Sequence, residues 1–324
     1  MAKIHQPRHG SMQFWPRVKA KRPYARVRSW AQPTKDVLLG FMGYKVGMTT
    51  IMGIDTRKNS PSKGEEIATG VTIIECPPLK IAGIILYRQA YEGKQIAKEI
   101  MFKLDKDLAR KIVMPKVHKD HTELDKLTEN YTDARVLVYT QPRLAGISKK
   151  RPELFEIGLT GTVADKIKFV KENHDKELAI NSFFKEGEFV DIHAVTKGKG
   201  LQGPVKRFGV AFKNHKTEKG VRRVGTLGAW SGQGHVLYRV AHPGQMGYHM
   251  RTEFNKQIFK ISTKPEEVNP KGGWTHYGVV KSTFIAIKGS VAGAEKRAIL
   301  FTKPLRTRAA DSIPTITEIN RNTK

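Results

Sequence analysis

The sequence predicts a mainly β protein: a closed or nearly closed barrel of short strands, interrupted by an α/β insertion and carrying two long basic segments. Three observations lead there. Short apolar runs rich in Ile, Val, Thr and aromatic residues recur between turn residues at wide spacing. Between two groups of these runs lies a stretch whose apolar residues follow helical spacing in some places and strand spacing in others. The charge is also lopsided, +28 over 324 residues, and the excess is concentrated in two segments that hardly contain an acid.

In chain order, residues 1–35 hold nine Lys/Arg and no Asp or Glu. They also hold Phe14, Trp15, Tyr24 and Trp30, whereas a purely disordered tail is poor in rings. A basic arm with interleaved rings is expected to fold against a partner. Its guanidinium groups take phosphates, and its rings stack on bases or plug apolar gaps. Strands are expected at 37–45, 70–75, 81–88 (after the turn Cys76-Pro77-Pro78), 188–195, 274–277 and 283–287. These assign a discontinuous barrel to 36–90, 181–196 and 261–305. The insertion, 91–180, is charged but nearly balanced. Helical spacing occurs at 104–112, at 122–130 with Leu124 and Leu127, and at 164–172, while 135–141 reads as a buried strand. Residues 197–260 form a glycine-rich central extension with thirteen Lys/Arg against Glu218 and Glu253. A loop this long inside a domain is expected to be functional. Residues 306–324 are read as a C-terminal tail.

Charge of one sign repels itself and keeps a segment extended until a polyanion neutralises it. Nucleic acid suits long basic arms, because each neutralised phosphate releases a counterion. Mean hydropathy is −0.45 and the isoelectric point is near 10.1, which reads against a membrane protein. The longest apolar stretch, 37–54, is broken by Lys45 and several glycines. No apolar core follows the basic start, so a secretory leader is not expected. The single cysteine, Cys76, excludes a disulfide within one chain and a cysteine-based zinc site, and points to a reducing, cytoplasmic setting.

Gly198-Lys199-Gly200-Leu201-Gln202-Gly203 matches G-x-G-x-x-G after a predicted strand. A dinucleotide site also needs a helix next and an acid about twenty residues on. Pro204 follows instead, with no helical pattern, so the glycines read as slim backbone that lets phosphates approach, with Lys197, Lys199, Lys206 and Arg207 as counter-charges. His118 and His121 sit at i, i+3 near Asp120 but lack a further strong ligand, and read as helix-surface residues. His215, His235, His242 and His249 lie in the extension without acids to orient them, and read as RNA contacts rather than a metal cluster or base. Trp230, flanked by Gly228-Ala229 and Ser231-Gly232, is far from any apolar run and reads as a loop tip that contacts a partner. No catalytic, cofactor or metal residue emerges.

Several segments, taken together, resemble the third large-subunit ribosomal protein family in its archaeal and eukaryotic form. They are Arg8-His9-Gly10-Ser11 with Trp15-Pro16-Arg17, the run 40–49 (GFMGYKVGMT), the run 71–78 (VTIIECPP), 191–207, Gly228-Ala229-Trp230, the run 243–249 (PGQMGYH) and Gly289-Ser290-Val291-Ala292-Gly293. The resemblance implies a six-stranded barrel like that of translation factors, an inserted α/β subdomain and two extensions into rRNA. It implies binding near the 3′ end of the large rRNA and a part in early subunit assembly. It also implies a central extension that reaches toward the peptidyl transferase centre, with Trp230 at its tip near the path of aminoacyl-tRNA. Two positions depart from relatives. Glu218 stands where eukaryotic relatives have a methylatable histidine, with His215 three residues earlier, and Ser231 stands where histidine is frequent. The chain is shorter than eukaryotic members and lacks their basic C-terminal tail, so the resemblance is to the archaeal form.

The resulting expectation is a non-enzymatic structural rRNA-binding protein, cytoplasmic and within the ribosome, whose arms order on binding. Its partners would be large-subunit rRNA and neighbouring large-subunit proteins, with aminoacyl-tRNA and translation factors close by. No membrane, no cofactor and no homo-oligomer is expected. Contacts to rRNA are expected at Arg8, His9, Ser11, Arg17, Lys19, Lys21, Arg22, Arg26 and Arg28 in the arm. In the extension they are expected at Lys197, Lys199, Lys206, Arg207, Lys213, His215, Lys216, Lys219, Arg222, Arg223, Trp230, Arg239, His249, Arg251 and Lys256. The rivals are an RNA-modifying enzyme, which would need a cofactor loop or an acid–base constellation, and a chromatin-type DNA binder, which would not prefer structured rRNA over duplex DNA at matched salt.

Overall fold

The computed structural model describes residues 7–33, 38–116, 131–228, 234–306 and 312–321. Among these residues thirteen strands and two α-helices follow in chain order: β1 (Gly40–Ile54), β2 (Glu66–Glu75), β3 (Leu79–Ala90), β4 (Gly93–Met101), β5 (Asp133–Thr140), β6 (Leu154–Gly158), α1 (Val163–Asn173), β7 (Phe189–Val195), β8 (Gly200–Gln202), α2 (Pro204–Phe208), β9 (Gly244–Met246), β10 (Met250–Ser262), β11 (Phe284–Lys288), β12 (Ala298–Thr302) and β13 (Thr315–Ile319). The protein is mainly β. It divides into two compact units, one of Met1–Arg22 with Val195–Met250 and one of Pro23–Ala194 with Arg251–Lys324.

The larger unit holds two sheets. The first runs β12-β7-β10-β11-β2-β1-β13, and β12 also pairs with β1, so the pairing returns on itself. The length of β1 makes this possible. Its first part, Gly40–Tyr44, pairs antiparallel with β12, and its last residues, Ile51–Ile54, pair with β13. The opposite edge pairs with β2 from Tyr44 to Ile54, with an irregularity at Lys45/Gly47. There the backbone passes close to a ring: a Cβ on Gly47 would stand 2.7 Å from Trp274 Cε3. Phe41, Met42, Tyr44, Ile73, Ile74, Phe284 and Phe301 are buried completely or nearly so, and the Phe41 and Phe301 rings stack 6.0 Å apart.

The second sheet, β4-β3-β5-β6, is antiparallel throughout. α1 lies against β3 and β5. A capping box between Thr162 and Asp165 starts α1, and Ile167 and Val170 are its buried apolar face. Residues 81–88, assigned from sequence to the barrel, belong here instead. Pro77 and Pro78 remove two backbone donors directly after β2, and the chain leaves the first sheet at that point. The helical spacing at 104–112 yields only the short 3₁₀ turn Lys106–Arg110. Residues 122–130 and the pair His118 and His121 lie outside the described residues.

Residues 274–277 were expected to be a strand and are a tight turn. Trp274 N donates to Gly278 O (2.7 Å), Tyr277 N donates to Trp274 O (3.1 Å), and His276 is left-handed at φ 62°. The reason lies at the end of β2. Glu75 is fully buried and accepts from Gly146 N (2.9 Å), Lys281 N (2.6 Å), Ser282 N (2.9 Å), Ser282 Oγ (3.1 Å) and the Tyr277 hydroxyl. A buried carboxylate is tolerated only when its lone pairs are filled, and the turn delivers one of the donors. Burial, with the charge of Glu75 after it, raises the Tyr277 hydroxyl pKa, so this donor keeps its proton.

Candidate nucleic-acid interface

The smaller unit is where basic residues gather. Met1–Arg22 and Val195–Met250 together contain sixteen Lys/Arg and a single acid, Glu218. Its secondary structure is slight. β8 and β9 form a two-stranded ribbon, with Gly200 opposite Met246 and Gln202 opposite Gly244. A five-residue helix, α2, follows β8, where the sequence showed no helical pattern. Pro204 pre-sets its first turn and Gly209, left-handed at φ 70°, ends it, and five residues are too few to display a period.

The N-terminal segment is laid along this ribbon by hydrogen bonds that end on backbone carbonyls. Ala20 N donates to Tyr248 O (2.8 Å), and His249 Nδ1 lies 2.8 Å from Val18 O. Arg8 Nη2 donates to Arg239 O (2.8 Å). Arg17 Nη1 donates to Arg207 O (3.1 Å) and Arg17 Nη2 to Ser11 O (3.3 Å). The Arg17 guanidinium also lies over two rings, 4.2 Å from the Phe208 centroid and 5.2 Å from that of Trp15. Trp15 packs with Phe208 at 6.0 Å and edge-on with Tyr238 at 5.5 Å. Arg207 donates from Nε to Gln245 O (3.1 Å) and from Nη1 to His242 O (3.0 Å), and burial lowers its pKa. Two glycines permit the close fit. Gly10, at φ 79°, has no room for a Cβ, which would stand 2.5 Å from Phe208 Cδ1. A Cβ on Gly247, at φ 72°, would stand 2.1 Å from Lys197 O.

The predicted contact residues therefore sort by environment. Arg8, His9, Ser11, Lys19, Arg22, Lys197, Lys199, Lys206, His215, Lys216, Lys219, Arg222, Arg223 and Arg239 are exposed in the smaller unit. Lys21, Lys213 and His249 are half-buried there. Arg17 and Arg207, also half-buried, spend their guanidinium groups on carbonyls and rings, which makes them internal ties. Arg26, Arg28, Arg251 and Lys256 fall in the larger unit. The last two stand on β10 rather than in the loop expected at 197–260, and Lys256 pairs with Glu253 (3.3 Å) and Ser290 O (2.9 Å). Trp230 lies outside the described residues. The rings of residues 1–35 divide likewise. Trp15 serves the smaller unit, whereas Tyr24 is buried in the larger unit, its hydroxyl donating to Leu154 O (2.8 Å), and a Cβ on Gly158 would stand 2.7 Å from the Trp30 ring. Phe208 and Tyr238 are not singled out by the sequence, because their apolar neighbours (Val205 and Phe212 around the one, Leu237 and Val240 around the other) lie in a segment read there as an extended basic loop.

Among the described residues no three His, Cys, Asp or Glu side chains are placed to share a metal ion, and no helix is long and apolar enough to cross a membrane. What the smaller unit offers is a dense array of outward cations on a backbone tied from within, the chemistry of phosphate contact.

Comparison with known proteins bears on this array. The family model described as Ribosomal protein L3 matches residues 1–320. The large ribosomal subunit protein uL3 of Archaeoglobus fulgidus is 43% identical over 94% of this chain and 93% of its own length. Its counterpart in Methanothermobacter thermautotrophicus is 44% identical over 94% of each chain, and that of Methanocaldococcus jannaschii 41% identical over 99% of this chain and 98% of its own. A family match along nearly the whole length, with archaeal relatives aligned end to end, shows that the chain belongs to the ribosomal protein L3 family, in its archaeal form.

Proposed function

We propose that the chain is a non-catalytic structural constituent of the large ribosomal subunit, and that it binds large-subunit rRNA chiefly through the smaller unit. One observation carries the reading: sixteen cations and one acid, in a unit whose backbone is braced by Arg17 and Arg207 from within. A single Glu218 cannot neutralise that charge, so the neutralising groups must come from outside. Phosphates do so with a gain from released counterions. The exposed Lys and Arg of the smaller unit are the proposed phosphate contacts, with Arg26, Arg28, Arg251 and Lys256 as contributors from the larger unit.

The ring of pairings β12-β7-β10-β11-β2-β1 supports reading the larger unit as a six-stranded barrel of the translation-factor kind. The sheet β4-β3-β5-β6 with α1 is then the inserted subdomain. Family membership supports the finer expectations: binding near the 3′ end of the large rRNA, action early in assembly, and an extension directed toward the peptidyl transferase centre with Trp230 at its tip. A ribosomal setting supports the expectation of neighbouring large-subunit proteins as partners and of a cytoplasmic location.

The test is crosslinking of the protein in cell extract followed by sequencing of the attached RNA. Crosslinks concentrated near the 3′ region and catalytic core of the large rRNA are expected. Crosslinks spread over messenger RNA, transfer RNA or DNA would overturn the assignment.

A further inference from the structure

We infer that the loop joining β1 to β2 is a separate RNA-contact site, one that takes the sugar–phosphate backbone; the inference rests on the rRNA-binding reading above. The connection runs from Asp55 to Glu65, far longer than a tight hairpin turn, yet it is ordered from within. The Asp55 carboxylate is buried and accepts from Arg57 N (3.0 Å), Arg57 Nε (2.9 Å), Arg57 Nη2 (2.8 Å) and Ser62 Oγ (2.8 Å). Asp55 N donates to Glu65 O (3.0 Å), Gly64 N donates to Asp55 O (2.9 Å), and the Ser60 and Ser62 hydroxyls meet at 2.9 Å. The guanidinium of Arg57, then the hydroxyl of Ser60, holds the Asp55 carboxyl well below the usual carboxylate range, so the brace persists at any physiological pH.

The brace buries Asp55 beneath Arg57 and Ser62 and leaves Lys58, Asn59 and Lys63 exposed. The loop and its base carry Arg57, Lys58 and Lys63 against Asp55, Glu65 and Glu66, so its net charge is zero and composition alone hides it. Geometry sorts these charges: Asp55 is buried against Arg57, Glu65 and Glu66 stay exposed at the base of the loop, where Glu66 accepts from Thr317 Oγ1 (2.6 Å), and Lys58 and Lys63 are exposed along it. The loop surrounds a concavity of about 710 Å³ that, among the described residues, no carboxylate lines. Its walls are the hydroxyls of Thr56, Ser60, Ser62 and Ser312, the cations of Arg57 and Lys58, the amide of Asn59 and one proline. Base-stacking platforms need rings, and no aromatic ring is among these lining residues; the polar groups they offer are hydroxyls, an amide and the Lys58 ammonium. Hydroxyls, amides, Arg and Lys are the side chains that contact phosphate and ribose. The loop would give the larger unit its own sequence-independent hold on RNA, apart from the arm and the extension.

The experiment uses the full chain, in vitro transcribed large-subunit rRNA, and duplex DNA as competitor. Lys58 is exposed, so Lys58→Glu is expected to leave the melting temperature unchanged. It is expected to weaken rRNA binding about three- to tenfold at 0.1 M salt and to flatten the slope of log K against log salt by about one. Asn59→Cys, carrying a tethered iron chelate, is expected to cut the rRNA backbone at a discrete position. The natural Cys76 is buried and takes no label. Wild-type affinity and slope in Lys58→Glu, or no cutting from position 59, would remove this site while leaving the rRNA reading intact. A wild-type chain that binds duplex DNA as well as rRNA would remove the underlying reading, and this site with it.

Discussion

Arg17 separates two roles that its sequence cannot distinguish. An arginine in a basic arm reads as a phosphate contact, yet in the structure both Nη atoms donate to carbonyls and the plane covers Phe208 and Trp15. Arg17→Ala removes two hydrogen bonds from a charged donor and two cation–π contacts. Each bond is worth about 1 kcal/mol after allowance for half exposure. Each ring contact adds about 0.5–1 kcal/mol at that exposure. The total, about 3–4 kcal/mol, corresponds to a roughly 140- to 700-fold change in local opening at 1.4 kcal/mol per decade. The amide of Ala20, which donates to Tyr248 O, reports that opening directly. Native-state hydrogen exchange of Ala20 is therefore expected to accelerate by that factor in Arg17→Ala. Arg17→Lys should fall between the two, since it keeps charge and ring contact but loses the fork. Binding to rRNA should weaken in both variants, because the unit no longer presents its outward cations in a fixed array, but the salt slope should stay as in the wild type. Unchanged exchange at Ala20 with a slope reduced by about one would refute this reasoning and return Arg17 to the phosphate.

Other expectations concern the supporting structure. Glu75→Ala leaves three backbone N–H groups and the Tyr277 hydroxyl without their acceptor in a fully buried place, and should cost about 3–5 kcal/mol, measured as a fall in the urea midpoint followed by circular dichroism; a loss under ~1 kcal/mol would show that the turn 274–278 holds without it. Gly247→Ala meets Lys197 O from a left-handed backbone and should cost more than ~1 kcal/mol, visible as faster exchange at the amide of Lys199, which donates to Met246 O. His193 lies between Thr252 Oγ1 (3.0 Å) and Thr302 Oγ1 (3.2 Å), and burial, opposed by the charge of Asp191, lowers its pKa. The unfolded chain then binds the extra proton first, so stability should fall as pH drops below about 6.5 and level off beneath the folded pKa. A His193→Gln chain with the same pH dependence would assign the effect to other groups.

β1, β2, β3, β5, β7, β11 and α1 could be read from the sequence because they depend on local period, whereas β4, β6, β10 and β12 are not among the expected strands and β13 lies in the stretch read as a C-terminal tail. Residues 188–195, 283–287 and 164–172 each reveal their buried face within one or two turns of chain, and the structure places β7, β11 and α1 there. What stayed hidden is long-range. Cys76-Pro77-Pro78 announces a turn, but nothing local says that β3 leaves for a second sheet. Residues 274–277 have strand composition, and a carboxylate some two hundred positions earlier bends them into a turn. The same limit governs the interface. Charge counting finds the segments that need phosphates, since attraction depends only on sign and number. It cannot tell which cations face outward, since that depends on which carbonyls come within reach. Arg17 and Lys19 are two residues apart in one basic run, yet one is half-buried on Arg207 O and the other is exposed. The loop 55–65 shows the converse: its net charge is only +1, and it buries Asp55 against Arg57 while Lys58 stays exposed. A residue list drawn from composition thus groups outward cations with inward ties such as Arg17. The mixture has one cause: a charged side chain acts on a partner only after the fold has decided which of its own groups it must satisfy first.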